Sequence, residues 1–108
     1  MSGVYGRCES GKVKPMTLNF VLDNQQYVNG NAKIALIQTL DVTQYKNLTV
    51  NSAYTWQANE HEYVRIDGTS ALSLVGQTID ISEKDSVVIN MLKTDGYAAD
   101  VTLNITLS

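Results

Sequence analysis

The stretch Ser86-Val87-Val88-Ile89-Asn90-Met91-Leu92-Lys93, followed by Tyr97 to Leu107, which closes on Val101-Thr102-Leu103-Asn104-Ile105-Thr106-Leu107, decides the fold class. Val87, Ile89 and Met91 share one side of the first run. In the second, Val101, Leu103, Ile105 and Leu107 oppose Thr102, Asn104 and Thr106. Successive side chains of an extended chain point to opposite faces, so a period of two means strands with one face buried. Thr94-Asp95-Gly96 lies between them, and Gly at the third loop position suits a three-residue hairpin with a left-handed residue at its bulge. The two runs are expected to pair as a central hairpin supplying most of the core.

The same period recurs toward the N-terminus. Thr78 to Ile81 is a short strand, followed by a polar turn at Ser82-Glu83-Lys84-Asp85, or at most one helical turn capped by Ser82. Asp67-Gly68 is a strong turn signal between strands at Glu62 to Asp67 and Ala71 to Val75. Lys46 to Val50 turns Leu48 and Val50 inward, and Ala53 to Gln57 puts Tyr54 and Trp56 on one face, with a turn or bulge at Asn51-Ser52 between two short strands. Lys33 to Val42 alternates as a strand, although Ile34, Ile37 and Leu40 would also line a helix; the neighbouring β context favours the strand. Turns are expected at Asp23 to Gln26 and Asn29 to Asn31, around a short edge strand at Tyr27-Val28. In Met16 to Leu22, the residues Met16, Leu18, Phe20 and Leu22 share one face.

Composition agrees. The chain has 108 residues, 44% hydrophobic and 18% charged, which fits one domain with a real core. Val 11, Ile 7 and Thr 10 favour strands, and a large share of Ser, Thr, Asn and Gln suits solvent-facing strand positions that carry little charge. The expected architecture is all-β: a single antiparallel β-sandwich over 16–108, jelly-roll preferred and immunoglobulin-like the alternative. The Cys and Trp pattern of a true immunoglobulin domain is absent.

Residues 1–15 read differently. They hold three Gly and no alternation, and end at the only Pro, Pro15, so they form an extended N-terminal arm. Arg7, Lys12 and Lys14 against Glu9 make the arm basic, whereas residues 16–108 carry five Lys and Arg against ten Asp and Glu. Opposite charge of this kind suits an arm that either folds back on its own domain or lies across a neighbouring copy, in the second case with Arg7, Cys8, Lys12 and Lys14 as its inter-subunit contacts. Cys8 is the one cysteine, so it is free or bonded to another chain.

Catalytic and cofactor patterns do not emerge. His61 sits in Asn59-Glu60-His61-Glu62, where only Glu60 and Glu62 share a strand side and a further His or Cys for zinc is lacking. The Asp residues are scattered over turns and single out no pair for glycosidic chemistry. No phosphate loop, dinucleotide fingerprint, nucleophile elbow or zinc-protease motif occurs, so no enzyme activity and no cofactor or metal is expected. A sequence pI of about 4.9 disfavours nucleic acid. No run approaches the roughly 20 apolar residues of a membrane-spanning helix, and residues 1–9 contain no apolar segment of the kind secretory signals need.

Tyr54 and Trp56, joined by Tyr63, offer a ligand face, although core packing is the more common fate of such a pair. A small, weakly charged sandwich with a basic arm, expected to be made without a signal peptide, points first to a structural subunit. The expectation is a component of a self-assembling particle: a bacteriophage virion protein (capsid decoration, head or tail) or a fibre subunit. It would assemble in the cytoplasm, with other copies of itself and other particle proteins as partners. The alternative is a carbohydrate- or ligand-binding β-sandwich module.

Overall fold

A strand with one apolar row must cover that row, and two sheets laid face to face cover all such rows at once. The computed structural model describes residues 14–22, 33–55, 62–94 and 100–108. Its strands are β1 (Met16–Leu22), β2 (Lys33–Asp41), β3 (Asn47–Tyr54), β4 (Tyr63–Ile66), β5 (Thr69–Ser70), β6 (Thr78–Asp80), β7 (Ser86–Thr94) and β8 (Val101–Leu107). Sheet one has the order β1-β8-β3-β6 and sheet two β2-β7-β4-β5. Every strand pair is antiparallel. The chain is the all-β sandwich that its alternation implies.

One apolar cluster fills the space between the sheets. Sheet one contributes Phe20 and Leu22, Leu48 and Val50, and the whole inner row of β8 from Val101 to Leu107; sheet two contributes Leu40, Val64, Ile66, Val87, Ile89 and Met91. Burying each such aliphatic side chain is worth about 1.5–3 kcal/mol. The outer row of sheet one is mostly half-buried or exposed Thr, Asn and Ser, whereas that of sheet two also carries Ile37, Val88, Leu92, Tyr63 and Arg65.

The central hairpin expected from the last quarter of the chain does not form. β7 pairs with β2 and β4, whereas β8 pairs with β1 and β3, so the two runs are middle strands of opposite sheets. A hairpin would set both apolar rows side by side on one face that still needed a cover. Across the sandwich each row covers the other.

Smaller differences have local causes. The region from Lys46 to Gln57 holds one strand through Tyr54 rather than two, and the bulge falls between Val50 and Ser52, where the register jumps from Val50 opposite Ile105 to Ser52 opposite Asn104. Ala71–Leu74 is a 3-10 turn rather than a strand, because Ala71 and Leu74 then lie on the same side and turn inward. The Ser73 hydroxyl closes this turn on the Ser70 carbonyl at 2.8 Å. Asp67 and Gly68 both have positive φ, 49° and 82°, as the tight β4–β5 hairpin requires. Residues 82–85 form a turn, held by Asp80 rather than Ser82: the Asp80 Oδ1 accepts from the Ser82 N–H at 2.8 Å and hydroxyl at 2.6 Å. Lys33–Asp41 is a strand, not a helix. The expected turns and edge strand between 23 and 31 lie outside the described residues.

Ile105 is fully buried in the middle of β8, while its neighbour Thr106 faces out. Ile105→Ala is expected to lower unfolding free energy by about 2–5 kcal/mol. Thr106→Ala should cost no more than about 1 kcal/mol. Urea titration checks this, and equal losses at the two positions would contradict the orientation of β8.

Candidate functional site

Antiparallel register aligns the outer positions of sheet one into rows. Thr17 stands opposite Thr106, Thr106 opposite Thr49 and Thr49 opposite Thr78, so one threonine row crosses all four strands. Its hydroxyls bond in pairs, Thr17 to Thr106 at 3.1 Å and Thr49 to Thr78 at 2.8 Å. Asn51, displaced by the bulge, donates its Nδ2 to Asn104 Oδ1 and to Thr106 Oγ1, both at 2.8 Å. The result is a polar face with few charges whose side chains largely satisfy one another.

The bulge also decides where the aromatics point. Regular alternation from Leu48 and Val50 would carry Tyr54 inward, but the extra residue reverses the phase, so Thr55 turns in and Tyr54 lies on the threonine face at 50% exposure. Core packing for Tyr54 is thereby overturned. Tyr63 belongs to the outer row of sheet two, beneath the Arg65 guanidinium, 3.8 Å from its ring centroid. Tyr54 and Tyr63 lie on opposite outer faces and do not form one platform. Trp56 lies outside the described residues, as do His61 and the arm residues Arg7, Cys8 and Lys12; Lys14 is exposed two residues before β1.

Among the described residues, both sheets end on strands with a free side. At the β1 and β2 side a cleft of about 330 Å³ opens between Met16, Leu18, Leu40, Tyr45 and Leu107. Asp41 lies on its rim, where the Thr43 backbone N–H at 2.9 Å and hydroxyl at 2.7 Å hold the carboxyl below its ordinary range. A second cleft of about 330 Å³ lies at the opposite side, over Leu48, Ile66, Ile79 and Ile81, with the Lys84 ammonium 3.3 Å from Asp67 at its mouth. That exposed pair contributes little stability. Asp67 also accepts the Val88 N–H at 2.8 Å. Asp41, Asp67 and Asp80 are thus each committed to a turn or to a neighbouring backbone N–H. Among the described residues no group of three or more His, Cys, Asp and Glu could hold a metal ion.

The third feature was not anticipated. Glu62 and Lys93 are buried at 1% and 0% exposure. The register pairing Tyr63 with Leu92, continued by one residue, sets Glu62 opposite Lys93, both on the inner rows of Val64 and Met91. Parity along each run carried this signal, but a charged residue at a strand end reads as solvent-facing. Thr55 is buried at the same end of the sandwich, and its Oγ1 has no hydrogen-bond partner among the described residues. Comparison with known protein families, curated proteins and solved structures found no match for this chain.

A buried hydroxyl without a partner costs about 1–3 kcal/mol. Thr55→Val keeps the shape and removes that group, so a higher melting temperature is expected in calorimetry. A lower one would mean that the hydroxyl is bonded in the native chain.

Proposed function

We propose that this chain is a non-enzymatic structural subunit of a self-assembling particle, with a bacteriophage virion protein (capsid decoration, head or tail component) or a fibre subunit as the reading of choice. The observation that carries it is the pair of edges left free among the described residues at one side of the sandwich. β1 has no charged residue and β2 has charges only at Lys33 and Asp41, its first and last positions. Soluble proteins that live alone blunt such edges with central charges, bulges or covering segments. Here Met16, Val21 and Ile37 are exposed along them instead. Lys14 and Pro15 lead into β1 at this same side.

The strand order supports the jelly-roll form of the sandwich. Every step from one strand to the next changes sheet except β4 to β5 and its hairpin, whereas an immunoglobulin-like order keeps several consecutive strands in one sheet. Jelly rolls serve both as capsid subunits and as lectins, so fold alone does not choose between them.

A second reading, a carbohydrate-binding module, draws on the threonine face. Tyr54 is half-exposed beside hydroxyl and amide groups, the chemistry that meets a sugar ring and its hydroxyls.

Light scattering on the full-length chain tests the first reading. Multimers are expected, and deletion of residues 1–15 should reduce them to folded monomers. Unchanged multimers in the truncation would remove the arm from the mechanism. Titration calorimetry against soluble polysaccharides tests the second: binding that Tyr54→Ala abolishes, from a chain that remains monomeric, would put the sugar reading first.

A further inference from the structure

Among the described residues, sheet two ends on β2, nine residues paired with β7 on one side only. Its register runs unbroken from Lys33 opposite Thr94 to Asp41 opposite Ser86. Without a bulge, the N–H and C=O groups on the free side form a continuous row open to a further strand. Ile37 at the midpoint is 70% exposed, the most exposed large apolar residue among those described.

The order of residues along β2 is self-complementary. Antiparallel pairing of two copies about position 37 sets 33 against 41, 34 against 40, 35 against 39 and 36 against 38. In sequence position this puts a lysine opposite an aspartate at both ends and sets Ile37 opposite its own counterpart. Parallel pairing would set Lys33 on Lys33 and Asp41 on Asp41. An antiparallel pairing slipped by two residues would lose both opposite-charge contacts. β1, the neighbouring free edge, has no charge to set direction or register, and Pro15 immediately precedes it.

We infer that β2 is a homotypic docking edge, through which two copies of this chain join their four-stranded sheets about a two-fold axis at Ile37. The inference rests on the structural-subunit reading and names the first contact of that assembly. In the dimer the half-buried Leu36 of each copy lies beside position 38 of the other, where Gln38 is exposed on the inner row of β2.

Cysteine cross-linking in the full-length chain with Cys8→Ser tests the register. At the two-fold axis the Cα atoms of position 37 lie about 4.5–5.5 Å apart, within disulfide reach. Position 39 is separated from its own counterpart by about 14 Å, four residues of strand rise. Ile37→Cys is expected to give a covalent dimer on mild oxidation, and Thr39→Cys none. Ile37→Lys, which sets like charges together at an exposed position, should weaken association at least tenfold in sedimentation equilibrium. Equal cross-linking at 37 and 39, or association unchanged by Ile37→Lys, would overturn the edge. Multimers that survive Ile37→Lys but vanish when residues 1–15 are deleted would overturn the edge and leave the subunit reading standing. A chain with no multimers of any kind, and no cross-link at 37, would overturn both.

Discussion

The constraint on which the structure depends is the face-to-face burial of β7 against β8. Each is a middle strand, so its backbone is paired on both sides, and its inner row is fully or nearly fully buried. Val87, Ile89 and Met91 on one side and Val101, Leu103, Ile105 and Leu107 on the other belong to one cluster. The strands on either side are secured to these two: β1 and β3 to β8, β2 and β4 to β7. Even the C-terminus joins in, since the Ser108 carbonyl accepts from the Lys46 and Asn47 N–H groups at 2.7 and 2.8 Å. Disturbing either central row therefore loosens both sheets together, which is the cooperative behaviour of a small single-core domain.

What the sequence disclosed and what it withheld follow from the range of each signal. Alternation is local: it told which residues of Ser86 to Lys93 and Val101 to Leu107 face inward, and they do. It could not tell whether the two runs lie side by side or across a core, because both arrangements bury the same residues. The bulge at Asn51 shows the same limit in reverse. One extra residue changed the face of Tyr54 and Thr55 without altering the composition of the strand. Asp67-Gly68 was legible because its turn chemistry is contained in two residues. Glu62 and Lys93 were not, because a charge outweighed parity in reading a strand end, and because what lies opposite each is set by register between distant segments.

The division of labour between the two kinds of outer surface is equally physical. On the threonine face the polar groups are side chains, and they have found one another: Thr17 with Thr106, Thr49 with Thr78, Asn51 with Asn104 and Thr106. A ligand that settles there must break or share these bonds, and exchanging one hydrogen bond for another yields only about 0.5–1.5 kcal/mol. Tyr54 adds a stacking surface, but Tyr63 on the opposite sheet does not reinforce it.

The free edges differ because their unused groups belong to the backbone. A strand cannot turn those groups back on itself, so water or another strand must take them. Along β1 and β2 the exposed Met16, Val21 and Ile37 make water the poorer partner, since apolar surface is released from water only when something covers the edge. Keeping such edges nearly free of charge is a liability for a protein that must remain single and an asset for one that must assemble. The placement of Lys33 and Asp41 at the two ends of β2, with none between, fits the second case: charge there leaves pairing open while selecting its direction. In the proposed assembly the edges, rather than the polar face, are for this reason the surfaces that join the copies.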